Sequence, residues 1–446
     1  MATETLRDAA LAVLQQNDLG GWTKPAPRLY PHQWSWDSAF IALGLADENP
    51  DRALRELETL FEAQWADGRV PHIVFNPQSA DYFPGPEWWA SARTNHQAPR
   101  TTATSGLIQP AVHALALHHI QRVVSASGSV RGASAGLSDR IAILYSKMLA
   151  WHRYLATRRD PTGSGLLTIY HPWESGTDNS PRWDAALARL EVGPLPAYQR
   201  HDLKHVDDPS ERPTHAEYDR YLWLVELLKL AGYDDQVIQQ DYPFQIRDIL
   251  MSGIFAAASH ALADVARTLS RPSAEIAELD TMCDRTSAAV SAAWDTDLQV
   301  ALDYDVVASE AVAVQTCAGL APLLLPDVSS ALLSTVVTRL EGEGFAGAKG
   351  LKFAVIPSTV PGTPGFQSRS YWRGPSWPVA NWLYWWGLRE HHQQEPAARL
   401  RAANLALLEQ PNARLAEYFE PFTGEPLGSL DQSWTAAVVL HWLSHE

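Results

Sequence analysis

The chain has almost no cysteine, no clustered positive charge and no long uninterrupted apolar run. Only Cys283 and Cys317 occur among 446 residues, which is too few for a disulfide framework. The chain has 51 Asp and Glu but only 35 Lys and Arg, which gives a net charge of −16. This acidic balance disfavours a nucleic-acid partner. Apolar residues are spread along the chain, so no membrane span is predicted. We expect a cytoplasmic globular protein that binds neither membrane nor nucleic acid, with homo-oligomerisation left open.

Several catalytic signatures are missing as well. The sequence contains no HExxH, no Walker-type or Rossmann glycine pattern and no GxSxG elbow. His113, His118 and His119 lie on a predicted helix, but their spacing does not bring a chelating pair onto one face. His201 and His205 have suitable spacing in a segment too polar and irregular to predict a helix. We therefore expect no metal site and no organic cofactor.

Apolar residues at helical spacing recur throughout the chain, whereas strand-like alternation is rare. MATETLRDAALAVLQQND predicts an amphipathic helix rather than a signal peptide. Further helices are predicted over 36–47, 51–66, 107–123, 138–157, 217–231, 244–268, 273–294, 309–320, 328–340, 376–391, 397–409 and 431–444. About a dozen helices favour one all-α (α/α)6 toroid over two unrelated bundles, because helix pairs can close into one continuous core.

Two stretches are typical of loops. Residues 125–136, SASGSVRGASAG, have a small and flexible composition that predicts an exposed connection between two helices. Residues 342–365 are rich in Gly and Pro and lead into the aromatic segment SRSYWRGPSW. This second loop either folds over a pocket or is a surface excursion.

The aromatic residues indicate carbohydrate binding through their placement. Eighteen Trp and fourteen Tyr occur, and five segments set a ring beside a polar group: QWSWD (33–37), EWW (87–89), HPWE (171–174), YWRGP (371–375) and QSW (432–434). Sugars need this pairing, since their C–H faces pack on rings while their hydroxyls need hydrogen-bond partners. Any one of these Trp, taken alone, is better explained by core packing at a helix end, but five such segments together favour a sugar site.

Glycoside hydrolysis needs two carboxyl groups, one on each side of the scissile bond. The candidates in aromatic or Gly/Pro-rich surroundings are Glu174, Asp178, Asp184, Glu417, Glu420 and Glu425. Asp178 lies in the polar loop ESGTDNSPRWD, where an aromatic wall would raise its pKa as a general acid requires. The same loop precedes a predicted helix, so Asp178, Thr177 or Asn179 could instead be its N-cap.

Six segments in order, QWSWDSAF, QWADGRVPH, GLIQPAVHA, ESGTDNSPRWD, YWRGPSWPVANWL and EYFEPFTGEPLG followed by DQSW, resemble glycoside hydrolase family 63 across nearly the whole chain. The length and the EYFEP-x-TGE-x-LG ending are most similar to its bacterial branch that hydrolyses mannosylglycerate or glucosylglycerate. This resemblance implies an (α/α)6 catalytic domain over residues 1–446, with inserted cap segments within 67–105 and 160–215 over the active site.

The resemblance also implies residue roles. Asp178 would be the general acid and Glu417 the general base, with Glu420 in reserve; inversion would separate the two carboxyls by roughly 6.5–9.5 Å. Glycerate would be bound by Arg212, Tyr218, Tyr371 and Trp372, and Arg212 has the planar fork that suits a carboxylate. A surface salt bridge of Arg212 with Glu211 or Glu217 is the other interpretation. The sugar subsite would comprise Trp34, Trp36, Asp37, Gln109, Trp173, Glu174, Trp377 and Trp434, with Asp37 and Glu174 accepting the sugar hydroxyl protons. Further substrate-binding candidates are Tyr30, Gly176 and Gln432.

The expected substrate is thus a small anionic glycoside, hydrolysed to hexose and D-glycerate by inversion, without metal. Two alternatives stay open from the sequence. One is a trehalase or another small α-glucoside hydrolase, which would not need Arg212. The other is a noncatalytic sugar-binding protein on the same scaffold, in which Asp178 would not be needed for turnover.

Overall fold

The computed structural model describes residues 3–126, 133–204 and 208–445. The α-helices are α1 (Thr3–Asn17), α2 (Ser35–Leu45), α3 (Pro50–Glu62), α4 (Pro86–Trp89), α5 (Ser91–Thr94), α6 (His113–Ala126), α7 (Ala133–Tyr154), α8 (Asp184–Ala188), α9 (His215–Leu230), α10 (Asp235–Ile238), α11 (Ile249–Thr268), α12 (Ser273–Ala292), α13 (Ser330–Glu341), α14 (Pro378–Glu390), α15 (Gln394–Leu408) and α16 (Ser433–Ser444). A π-helical turn, Leu155–Arg159, extends α7. The 3₁₀ segments are Pro172–Ser175, Pro181–Trp183, Asp202–Lys204, Pro209–Glu211, Cys317–Leu324 and Tyr371–Arg373.

Six pairs of helical segments close into a double ring. The inner segments are α2, α6, α11, the 3₁₀ segment Cys317–Leu324, α14 and α16, and they pack against the outer helices α3, α7, α12, α13, α15 and α1, respectively. Neighbouring inner segments also pack against one another, and α16 packs against α2, so that the ring closes between the last inner helix and the first. This arrangement confirms the predicted (α/α)6 toroid.

The inner helices are apolar on nearly all sides because both of their faces are covered. In α2 every residue from Ser35 to Gly44 is buried. Helix α11 is long and apolar enough to cross a membrane by length and composition alone, which differs from the sequence expectation. However, 89% of its apolar window is buried inside the protein, as expected for an inner helix of the ring.

Twelve of the thirteen predicted helical segments, including the N-terminal one, overlap α-helices of the structure, and 309–320 does not. Its first part forms a strand, Glu310–Val312, and the apolar run becomes a 3₁₀ segment from Cys317. Pro322 lies inside that segment and has no N–H for an α-helical hydrogen bond. The prediction for 107–123 began too early, since α6 starts at His113, after Pro110.

Short strands organise the connections between the helices. They are β1 (Gln33–Trp34), β2 (Ile73–Val74), β3 (Thr168–Ile169), β4 (Ile246–Arg247), β5 (Trp294–Asp295), β6 (Val300–Ala301), β7 (Asp303–Asp305), β8 (Glu310–Val312), β9 (Tyr418–Phe419) and β10 (Pro426–Leu427). The sheets have the orders β1-β2, β3-β4-β7-β8, β5-β6 and β9-β10, all antiparallel. Strands of two or three residues are too short for their alternation to be recognised in the sequence.

Candidate active site

A pocket of about 830 Å³, including its open mouth, lies where α2 and α16 begin. Of the seventeen predicted site residues, fifteen line it: Tyr30, Trp34, Trp36, Asp37, Gln109, Trp173, Gly176, Asp178, Arg212, Tyr218, Tyr371, Trp372, Glu417, Gln432 and Trp434. They come from connections on one side of the ring and from the first turns of α2, α9 and α16. Sequence positions up to about 400 residues apart are therefore brought together by closure of the toroid.

Aromatic rings form the pocket walls, with a second layer behind them. Trp36 packs edge-on against Trp434, with ring centroids 5.5 Å apart. Trp372 faces the pocket and stacks on Trp377 at 3.9 Å with nearly parallel planes. Trp377 is fully buried and donates its indole N–H to the Tyr371 carbonyl at 3.1 Å. Trp377 was predicted to help form the sugar subsite, but it does not line the pocket. Trp372, which stacks on it, faces the pocket instead.

The loop that carries Asp178 is anchored on both sides of the carboxyl. Trp183 Nε1 donates to the Thr177 carbonyl at 3.0 Å, and Trp372 N donates to Asn179 Oδ1 at 2.8 Å. Gly176 has a φ of +72°, and a Cβ there would lie 2.6 Å from the Trp36 ring, so only glycine fits this turn. The following 3₁₀ turn, Pro181–Trp183, is capped by Ser180, which accepts from Arg182 N. The cap role proposed for Asp178, Thr177 or Asn179 therefore belongs to Ser180.

The environment of Asp178 favours its protonated form. The pKa of the carboxyl is raised from 3.8 to about 7, mainly by burial; the Arg212 charge lowers it and the Glu417 charge raises it within that net shift. A carboxyl with a pKa near 7 can hold a proton close to neutral pH and still release it. The geometry thus offers an acid that faces the pocket.

Glu417 immediately precedes β9 and is buried, with 1% of its surface exposed. Its Oε1 accepts from the Tyr30 hydroxyl at 2.8 Å and its Oε2 from Ser429 N at 2.9 Å. Burial raises the pKa of Glu417, while the Arg212 charge and these hydrogen bonds lower it. Each oxygen keeps a lone pair beyond these bonds, so the carboxylate can also accept from a water in the pocket.

The other candidate carboxylates lie outside the pocket lining. Glu420 Oε2 accepts from Phe422 N and Thr423 N at 2.8 and 2.6 Å, which closes the turn after β9. Glu425 pairs with Arg369 and Asp184 pairs with Arg373, each at 2.6 Å, with half of the carboxylate side chain exposed. Between the two glutamates of EYFE, the structure thus directs only Glu417 towards Asp178.

Arg212 is a buried cation at the pocket wall. Its side chain is 8% exposed, its guanidinium lies 4.2 Å from the centre of the Tyr371 ring, and its Nη1 donates to the Tyr30 hydroxyl at 3.3 Å. The two surface partners considered for it are engaged elsewhere. Glu211 pairs with Arg369 at 2.7 Å, and Glu217 forms a capping box with Thr214 at the start of α9. The surface salt-bridge interpretation is therefore wrong.

The remaining residues that line the pocket were not predicted as site residues, although His72 belongs to one of the motifs. Asp202, from the 3₁₀ turn Asp202–Lys204, lies 3.6 Å from Arg212 Nε and 2.6 Å from Arg200. His72 is hydrogen-bonded to Ser105 at 2.6 Å and lies in the motif QWADGRVPH. The others are Pro25, Leu29, Tyr82, Phe83 and Pro213. Asp202 could not be found from the sequence, since only folding brings its irregular segment to Arg212.

Glu174 does not line the pocket, although it was predicted to accept sugar hydroxyl protons. It is fully buried, and its two oxygens accept from Arg159 Nη1 and Nη2 at 2.7 and 2.8 Å. They also accept from Tyr170 N at 2.8 Å and Ile108 N at 3.3 Å. With its lone pairs occupied in this way, Glu174 fixes the start of the loop that ends in Asp178 rather than binding sugar.

Glu174→Gln is expected to destabilise the fold by about 3–5 kcal/mol, because the two buried cations Arg159 and Arg69 would then share Asp235 as their only fully buried carboxylate partner. The free energy of unfolding from urea denaturation measures this. The matched control is Glu87→Gln, which breaks a 3.0 Å pair with Arg93 whose side chains are 90% and 71% exposed. It should change stability by less than about 1 kcal/mol. Equal effects of the two substitutions would contradict the anchoring role of Glu174.

Two further expectations concern loops and histidines. Residues 342–365 do not line the pocket, and Gly365 lies against Pro181, just after the loop that carries Asp178. Of residues 125–136, predicted to connect two helices, 125–126 end α6, 133–136 begin α7, and 127–132 lie outside the described residues, as does His205. His113 is buried and bonded to Ser35, whereas His119 lies within a group of metal-ligating side chains that was not predicted.

Comparison with known proteins identifies the family of this scaffold. Residues 30–435 match the mannosylglycerate hydrolase MGH1-like glycoside hydrolase domain. The chain is 45% identical over 435 residues to a glucosylglycerate hydrolase of Mycolicibacterium hassiacum, covering 97% of this chain and 96% of that protein. It is 40% identical over 434 residues to a mannosylglycerate hydrolase of Thermus thermophilus, covering 97% and 99%.

A solved structure agrees over the same length. The crystal structure of a GH63 mannosylglycerate hydrolase from Thermus thermophilus, in complex with Tris and D-glycerate, superposes with a TM-score of 0.88 at 39% identity, covering 98% of this chain and 99% of the other.

Proposed function

The chain belongs to the family of MGH1-like glycoside hydrolases, and on that premise we propose that it hydrolyses the α-glycosidic bond of glucosylglycerate, mannosylglycerate or both, releasing hexose and D-glycerate. The observation that carries this substrate class is Arg212, a buried cation beside two pocket carboxyls in a chain of net charge −16. A negative protein repels an anionic substrate at long range, so a local cation must hold the carboxylate.

The bond is cleaved between a sugar subsite and a glycerate subsite. Trp34, Trp36, Gln109 and Trp434 pack on the hexose, and Asp37 bonds its hydroxyls from the first turn of α2. Burial raises the pKa of Asp37 well above its usual range. The carboxylate of glycerate approaches the Arg212 fork, next to Tyr218, Tyr371 and Trp372.

Asp178 and Glu417 divide the proton transfers. Asp178 donates its proton to the glycosidic oxygen as the bond to the anomeric carbon breaks, so that glycerate leaves as an alcohol rather than an alkoxide. Burial raises the pKa of Glu417, and Arg212, Tyr30 and Ser429 N oppose this by favouring its ionised form. The ionised Glu417 takes a proton from the water that attacks the opposite face of the sugar. The hexose is thereby released with inverted anomeric configuration. None of these steps uses a metal, and both cysteines are free thiols, which suits a reducing cytoplasm.

The direct experiment is to incubate the chain with glucosylglycerate, mannosylglycerate and trehalose and to follow the released sugar by proton NMR. We expect turnover of one or both glycerates, with the β-anomer appearing before mutarotation. Initial release of the α-anomer would overturn the inverting mechanism. Preference for trehalose would overturn the substrate class, and no turnover of any of the three would favour the noncatalytic sugar-binding alternative.

The pH dependence of kcat/KM follows from the two carboxyls. Asp178 must be protonated, so activity is expected to fall as pH rises through about 7, the pKa of Asp178. Glu417 must be ionised, so activity is expected to fall as pH drops through its pKa, which burial raises. A bell-shaped profile results, and its limbs report the coupled pair in the free enzyme. Activity that stays constant between pH 7 and about 9 would contradict Asp178 as the acid.

A further inference from the structure

A group of metal-ligating side chains lies far from the pocket, at the closing seam of the ring. Asp47 follows α2, His119 lies in α6, His441 lies in the last turn of α16 and His445 follows that helix. One ligand atom from each residue lies within 4.8 Å of the others. Trp36 and Trp434 mark the pocket ends of α2 and α16, and α2 alone spans about 16 Å. The group is therefore separate from the catalytic machinery.

The histidine tautomers decide which side chains can bind an ion. His445 Nδ1 lies 2.9 Å from the His441 carbonyl, which can only accept, so Nδ1 carries the proton and Nε2 keeps a free lone pair. This is the usual orienting bond of a metal-binding histidine. Trp382 Nε1 can only donate, and it lies 3.2 Å from His441 Nδ1, so His441 carries its proton on Nε2. His441 is for that reason a wall of the site and not a ligand.

The two remaining groups supply the other ligands. His119 Nε2 and Asp47 Oδ2 lie 2.9 Å apart, so without an ion the imidazole donates to the carboxylate, and an ion would displace this proton. Both side chains are partly open to solvent, at 12% and 26%. Two ligands on a tetrahedral zinc ion with bonds of about 2.0 Å lie about 3.3 Å apart, so a small rotation admits the ion.

We propose that Asp47, His119 and His445 form a binding site for a divalent transition-metal ion of the zinc type, completed by water. Two imidazoles and one carboxylate are ligands that zinc accepts. The ion would connect α2 and α6 to the end of α16, where the last inner helix meets the first. Its effect is to stabilise the closed ring without taking part in turnover. Arg122 and Arg389, whose charges lower the pKa of His441, limit the affinity.

The test is a calorimetric titration of the EDTA-treated chain, prepared without a histidine tag, with zinc chloride. We expect one zinc ion per chain and a thermal midpoint that rises with zinc concentration, because the ion binds the folded state. His445→Ala should weaken zinc binding by at least about 100-fold, as should His119→Ala. His445 follows the last helix and is partly exposed, so its replacement should not prevent folding.

The matched control is His260→Ala, which removes an exposed histidine 3.9 Å from Asp264 on α11. This variant should bind zinc like the unchanged chain. The proposal is overturned if the unchanged chain binds no stoichiometric zinc, or if His445→Ala and His119→Ala bind it with unchanged affinity. The stabilising role is overturned if bound zinc leaves the thermal midpoint of the unchanged chain where it was. The separation from turnover is overturned if zinc alters kcat in the unchanged chain and not in His445→Ala.

Discussion

Asp178→Asn is expected to lower kcat for a hexosylglycerate by about 10²- to 10⁴-fold, the range that a positioned general acid contributes. Asparagine keeps the size and the loop contacts of the side chain but has no proton to transfer at neutral pH. Substrate binding should persist, because the Arg212 fork and the aromatic walls are unchanged. Steady-state kinetics at the pH optimum, with substrate binding measured separately by calorimetry, give the two quantities.

Substrates with different leaving groups distinguish a general acid from an aspartate with only a structural role. A glycosyl fluoride expels fluoride with little need for protonation, so Asp178→Asn should keep most of its activity on this substrate. Glu417→Gln should lose activity on both substrates, because water must still be deprotonated. Asp184→Asn, in the same segment but outside the pocket, is the matched control and should remain active. If Asp178→Asn were equally impaired on fluoride and glycerate substrates, a role as general acid would be contradicted.

The toroid was predictable because its signal is local and repeated. Inner and outer helices carry apolar residues at helical spacing, and twelve predicted segments overlap them. The exception at 309–320 shows the limit of that signal. An apolar run next to a proline resembles a helix in the sequence, yet Pro322 and the approach of Gly319 to Val300 produce a 3₁₀ segment in the position of an inner helix.

Site residues could be predicted where they belong to a recognisable motif. They could not be predicted where contacts between distant segments determine their position. Residues beside the pocket in recognisable motifs, such as Trp36 and Gly176, line it as expected. Glu174 belongs to the same motif as Asp178 but does not line the pocket, because it is paired with Arg159 from the π-helical turn after α7. The positions of Asp202 and of the histidines His119, His441 and His445 depend on contacts between distant segments, which no local sequence pattern encodes. Only the closed ring brings His119 to His445.

Arg212→Ala is expected to lower kcat/KM for hexosylglycerates by about 100-fold, mostly by raising KM. The reason is that the buried hydrogen-bonded ion pair between Arg212 and the glycerate carboxylate would be lost. For a hexosylglycerol, in which a neutral hydroxymethyl group replaces the carboxylate, the change should be small. The measurement is the ratio of kcat/KM for the two substrates, taken at the pH optimum of each variant. A trehalase would show no such difference, so an unchanged ratio would contradict glycerate binding by Arg212.

The pH profile tests Arg212 a second time. Its charge lowers the pKa of both Asp178 and Glu417, so its removal raises both. The acid limb, which needs ionised Glu417, and the alkaline limb, which needs protonated Asp178, should therefore both move to higher pH in Arg212→Ala. Arg212→Lys keeps the charge but loses the planar fork, so its limbs should stay in place while KM rises. Arg369→Ala, which removes the nearby 41% exposed arginine, should change neither the limbs nor KM. A shift of the limbs in Arg212→Lys as large as in Arg212→Ala would show that position rather than charge sets the two pKa values.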